Sequence, residues 1–137
     1  MAHTREARTL TLAAAKAMAE AGEAEAARRG WTVAIAVVNP EGGLILLHVL
    51  DGTQPASHDV AIAKARSAAR FRRPTKALED AVAGGRTALL GVPGLLALEG
   101  GAPLILDGAV VGAVGVSGMA SSEDGAIAAA ALRAFEG

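Results

Sequence analysis

Residues 100–124, Gly-Gly-Ala-Pro-Leu-Ile-Leu-Asp-Gly-Ala-Val-Val-Gly-Ala-Val-Gly-Val-Ser-Gly-Met-Ala-Ser-Ser-Glu-Asp, decide the fold. Two β-rich runs, 103–106 and 109–116, flank Asp107-Gly108. That pair is favoured in two-residue hairpin turns, because both central positions need positive φ. The second run ends in Ser117-Gly118, and Ser121 stands three residues before Asp124, the spacing of a capping box. The unit predicts a hairpin, a glycine-bearing turn and a helix whose N-terminus faces that turn. The first amides of such a helix have no partner within it and can hold an anion.

Working outward, residues 10–29 predict a long helix capped by Thr9 or Thr11 and closed by Gly30. Residues 32–39 predict a strand, 40–43 a turn, and 44–50 a second strand that pairs back. Asp51-Gly52-Thr53-Gln54-Pro55 breaks that strand, and Ser57 is expected to cap a helix running to about Arg72. Pro74-Thr75 starts a shorter helix that fades by Gly84-Gly85. Residues 91–101 form a loop with a short strand at 95–98, and the final helix covers 122–135. Tight hairpins make the sheet antiparallel, since parallel pairs need longer crossovers. The expected class is α+β, with helices packed on a sheet of about five strands in one domain, residues 1–137.

The chain has 137 residues, a formal net charge of −1 and no cysteine, which excludes disulfides, thiolate chemistry and covalent haem attachment through Cys-x-x-Cys-His. The near-neutral balance and the absence of a single-sign tail point away from nucleic acid and membrane surfaces as partners. The first residues lack the apolar run of a signal peptide and no stretch could span a bilayer, so a cytoplasmic protein is expected. Only Trp31, Phe71 and Phe135 are aromatic, and much of the apolar content is alanine. Residues 126–132 are apolar on every side of their helix, which predicts cover from a second copy and hence a homo-oligomer.

Chemistry can be placed by a helical count at ~100° per residue. On the central helix, Lys64 falls inside the apolar sector with Ala61, Ala68 and Phe71, two turns after Ser57. A lysine there must snorkel, pair with a carboxylate or lose basicity to desolvation. Asp51 and Asp124 are the candidate partners. Two roles stay open, a structural ion pair and a ligand-facing or catalytic lysine. Arg66, Arg70, Arg72, Arg73 and Lys76 could grip a carboxylate, or form a solvated face that complements a helix C-terminus.

His3, His48 and His58 lack any zinc spacing. His48 or His58 could ligate haem iron, as could Met119 or Met18; an ordinary structural histidine is the alternative. The glycines at 112, 115 and 118 do not form a dinucleotide fingerprint, and Gly112 and Gly115 fall on opposite faces of a strand. Ser117-Gly118 reads either as a plain turn or as a cradle for an oxyanion or carboxylate. The lack of Gly-x-Ser-x-Gly disfavours a serine hydrolase.

Several segments resemble the GlcG/HbpS-like haem-binding family, also called the haem-degrading domain and similar to the C-terminal domain of PduO-type proteins. They are Leu10-Thr11-Leu12, residues 34–39 with Gly42-Gly43, Asp51-Gly52, Ser57 with Ala63-Lys64-Ala65, and Phe71 with Pro74-Thr75. Residues 100–104, Asp107-Gly108, and 111–118 with Asp124 complete the match, which covers about 9–132. The resemblance implies a profilin-like α/β/α fold with a five-stranded antiparallel sheet, assembled in relatives into larger oligomers, often octamers. It marks Asp51, Lys64, Gly100, Gly101, Ser117, Gly118 and Asp124 as motif positions. The chain departs from the usual pattern at Val49-Leu50, where relatives commonly carry Arg-Met, and at Asn39, where they carry Asp.

The expected function is an oligomeric small-molecule-binding protein that takes haem or another tetrapyrrole non-covalently, or a small carboxylated metabolite, in a pocket of Gly100-Gly101, Ser117-Gly118 and the Lys64 face whose amides and ammonium hold an anionic group. In that reading His48 is the first iron ligand to test, and His58 the second. One alternative is a lyase or isomerase acting on a small hydroxylated acid or aromatic. Lys64 would then be the base or carboxylate anchor, and the Ser117-Gly118 turn would stabilise negative charge. The other alternative is a structural accessory subunit of a metabolic pathway.

Overall fold

The structure, a computed structural model, describes residues 2–137. Helix α1 spans Leu12–Arg29, strand β1 Ala34–Val38, β2 Leu44–Val49, α2 Ser57–Phe71 and α3 Thr75–Ala83. A short 3-10 turn, Thr87–Gly91, precedes β3 (Gly101–Leu106), β4 (Ala109–Ser117) and α4 (Ser121–Glu136). The strands form one antiparallel sheet in the order β2-β1-β4-β3.

Alternation on β1 sorts the two layers. Ala34, Ala36 and Val38 face α2, packing on Ala61, Ala65, Ala68 and Ala69. Ile35 and Val37 face the other way, into a core with Met18, Ala19, Ala26, Ile127 and Ala131 from α1 and α4. Small side chains let α2 lie close on the sheet. A Cβ on Gly115 would overlap the Ala61 carbonyl and the Ala65 amide, so only glycine permits this approach. Gly112 faces the opposite layer, toward Leu10.

Local signals account for most element ends. Thr11 Oγ1 accepts the Ala14 amide at 3.1 Å, and Gly30 closes α1 in the left-handed region at φ 70°. The helix starts two residues later than expected because the Leu10 amide is donated to Val111 O at 2.9 Å, tying Leu10 to the sheet. Asp107 and Gly108 take φ 51° and 78°, the two positive values the hairpin turn demands. The turn between β1 and β2 is closed by Asn39 Oδ1, which accepts the amides of Glu41 and Gly43 at 2.9 Å each. Arg66 and Arg70 reach down from α2 and donate to Gly42 O at 3.0 Å and Glu41 O at 2.9 Å. Those two members of the basic run therefore brace a turn.

Three expectations are corrected. The sheet has four strands among the described residues. Residues 95–98 are held instead by α2, where buried Ser67 Oγ accepts the Leu96 amide at 2.9 Å. Ser57 and Ser121 are the first residues of α2 and α4, preceded by Ala56 and Ala120 at the cap positions. Ser57 turns its hydroxyl inward, while Glu123 and Asp124 serve the start of α4. Finally, α4 finds cover within its own chain. Ile127, Ala128, Ala130 and Ala131 are buried against α1 and the sheet, and Ala126, Ala129 and Leu132 are half-buried.

Candidate functional site

Register brings four chain segments to one end of the sheet. Ala34 pairs with both Ser117 and Val49, and Gly101 pairs with Gly115. Gly100-Gly101, Ser117-Gly118 and the first turn of α4 meet there. Lys64 enters from α2 with 1 % of its surface exposed. Its Nζ donates to Val116 O at 2.9 Å and to Asp124 Oδ2 at 3.1 Å. Because α2 and α4 lie on opposite faces, this ion pair ties the two helical layers around the end of the sheet.

The glycines make that passage possible. A Cβ on Gly100, which sits at φ 133°, would lie 2.8 Å from Lys64 Nζ and 2.7 Å from Val116 O. One on Gly101 would overlap the Lys64 carbonyl, and Thr75 Oγ1 accepts the Gly101 amide at 2.8 Å. Gly118, at φ 147°, is packed against Thr32 O. The space the glycines leave is thus taken up by the protein's own atoms.

Carboxylates of α4 already occupy amides at its start. Asp124 Oδ1 accepts the Met119 amide at 2.9 Å, and Glu123 Oε1 accepts that of Ala120 at 3.2 Å. Burial pushes the Asp124 carboxyl above its ordinary range, and the Met119 N–H and the Lys64 ammonium pull it back. Ser117 Oγ donates to Ser57 Oγ at 3.2 Å, so these buried hydroxyls satisfy each other. Asp51 is exposed in the turn after β2, and Asp124 is the carboxylate that Lys64 meets. Of the motif positions, the structure joins Lys64, Gly100, Gly101 and Asp124 directly. It sets Ser117 and Gly118 beside them and leaves Asp51 outside.

His48 lies on the other face. It pairs with Ile35, which points into the α1 and α4 layer, and Leu46 of β2 and Leu50 just beyond it pack against that core. His48 Nδ1 is 2.6 Å from Glu23 Oε1 on α1, with the two side chains 38 % and 32 % exposed. A carboxylate accepts, so Nδ1 is the donor in this contact and Nε2 is the ring nitrogen left without a partner. Among the described residues Nε2 makes no hydrogen bond. His48 and Lys64 therefore do not line one pocket.

His58 is exposed on the first turn of α2, and His3 is exposed in the N-terminal segment. Met18 is fully buried in the core, whereas Met119 is half-buried beside it. Glu23 escaped the sequence reading. It is 25 residues from His48, and nothing local marks it out; only the seating of α1 on the sheet makes the pair. Two surface grooves, of about 750 and 320 Å³, lie around the β3–β4 turn at the far end of the sheet.

A four-stranded antiparallel sheet with helices on both faces, pinned at one end by a glycine-framed lysine–carboxylate pair, defines the class of domain. The family model described as haem degrading protein HbpS-like matches residues 10–133, and the chain belongs to that family. Protein GlcG of Escherichia coli K12 is 45 % identical over 103 residues, covering 75 % of this chain and 77 % of GlcG. The crystal structure of the Klebsiella pneumoniae protein ORFY is similar at TM-score 0.93 and 33 % identity, covering 99 % of this chain and 97 % of ORFY. A double mutant of Streptomyces reticuli HbpS matches at TM-score 0.90 and 33 % identity, over 97 % and 91 % of the two chains.

Proposed function

We propose that this chain binds haem non-covalently, with His48 Nε2 as the iron ligand. The observation that carries the reading is the Glu23–His48 contact, which holds the ring by one nitrogen and leaves the other free to coordinate. Membership of a family described as haem degrading and HbpS-like supports it from a separate direction. Imidazole nitrogen is a suitable donor for haem iron, so the donor chemistry fits the group. Bound haem would supply redox and axial-ligand chemistry. The chain's own part is to orient the His48 ring and to offer the apolar flank of Leu46 and Leu50.

A half-exposed histidine on an edge strand gives a flat ligand one wall. Ligand sites bury most of their occupant, so a second copy of the chain is proposed to supply the other wall. Lys64 offers less to a carboxylated metabolite or to acid–base catalysis, since its ammonium is buried and doubly held.

Titration of the purified protein with hemin tests the reading. The parent and His58→Ala are expected to give a saturable shift of the Soret band, and His48→Ala to lose it or need at least tenfold more hemin. No saturable shift in the parent removes haem as the ligand; an unaltered shift in His48→Ala removes His48 as the iron ligand.

A further inference from the structure

Glu23 makes one side-chain contact to another element, to His48 of β2. It sits in the middle of α1, 32 % exposed, and its Oε1 is directed at one ring nitrogen of a residue on another element. The separation of 2.6 Å is short for a nitrogen-to-carboxylate hydrogen bond. The neighbouring acid on the same helix behaves differently. Glu25 is held by Arg28 and Arg29 of its own helix and makes an internal brace. Glu23 has no cation beside it in the described contacts, so its charge is directed at His48 alone.

A carboxylate that accepts from one nitrogen of a metal-binding imidazole fixes the tautomer and the ring orientation, and makes the other nitrogen a stronger donor. We infer that Glu23 is a positioning residue for His48, fixing the ring orientation that presents Nε2 and raising its donor strength toward a ferric haem. The inference rests on the haem reading above and deepens it. Glu23 itself touches no ligand atom in this scheme; it acts through the ring.

Three proteins decide the matter: the parent, Glu23→Gln and His48→Ala, each checked for unchanged far-UV circular dichroism. Glu23→Gln keeps a hydrogen-bonding oxygen and removes the charge. It is expected to bind hemin about 10–100-fold more weakly, the range seen when outer-shell partners of metal ligands are lost. In the haem it does bind, the iron–imidazole stretch in the resonance Raman spectrum of the ferrous form is expected at lower frequency, with a higher midpoint potential. A merely structural glutamate would leave that stretch and potential unmoved. Hemin affinity, stretching frequency and potential all equal to the parent's, in a background where His48→Ala abolishes binding, overturn the role of Glu23 alone. Retention of the parent's Soret band in His48→Ala, or no binding by the parent, overturns both readings.

Discussion

Lys64 is a residue whose surroundings explain its burial. An ammonium without water is costly unless its partners are well placed, and here a carbonyl and a carboxylate meet it within 3.1 Å. Removing one member leaves the other uncompensated, so Lys64→Met or Asp124→Leu is expected to lower stability by about 3–5 kcal/mol. The double variant Lys64→Met with Asp124→Leu should lose much less than the sum, because no lone charge remains. Urea unfolding with a constant m-value measures all three. Single losses below about 1 kcal/mol would show that the pair does not hold the layers together. The helical count placed Lys64 on an apolar face from residues one turn away. Its partner stands 60 positions further on, beyond the reach of any local pattern.

Among the elements, α1 carries its own pH dependence. Glu25 accepts from Arg28 at 2.5 Å and from Arg29 at 2.6 Å, and these guanidiniums lower its carboxyl from 4.5 to about 2. A depressed carboxyl contributes stability that is fully present above the unfolded value and is lost as pH falls through the folded one. The window therefore lies between pH 4.5 and about 2. Glu25→Gln should flatten the stability curve there and leave its slope above pH 5 unchanged, as read by urea midpoints across the acid range. An identical acid slope in parent and variant would place the sensitivity elsewhere. Asp124 acts in the opposite sense, because burial raises its carboxyl and the folded state takes up a proton there more readily.

The elements also show what local signals control. Thr11, Gly30 and Asp107-Gly108 work through bonds and dihedrals within a few residues, and they behave as their types dictate. Ser57 and Ser121 have the residue type of a cap but yield to tertiary demand. Ser57 is drawn inward to Ser117, and the α4 start is served by Glu123 and Asp124. The short strand expected at 95–98 fails for the same reason: Ser67 on α2 takes the amide a ladder would need.

For the whole molecule, self-association remains the expectation, but its physical basis shifts. The alanine-rich last helix is covered by α1 and the sheet. Apolar surface is left instead on the two edge strands, with Leu44 and Val49 on β2 and Ile105 and Leu106, 54 % and 42 % exposed, on β3. Open edges with apolar side chains invite pairing with another copy. Sedimentation at micromolar concentration should therefore show a multiple of 13.6 kDa, and Val49→Glu should shift the distribution toward one chain. A single 13.6 kDa species for the parent would count against assembly.

Sequence alone determined the α+β class, the antiparallel hairpins, the tight turn and the place of one lysine on an apolar helix face, because each depends on side-chain periods or dihedral preferences over a few neighbouring positions. Only the tertiary structure decided that Asp124 neutralises that lysine around the sheet end, that the surrounding glycines admit protein atoms, and that Glu23 holds His48 on the opposite face. Those outcomes arise when layers from distant parts of the chain are stacked, and the spacing between such layers is set by packing rather than by any local run of residues.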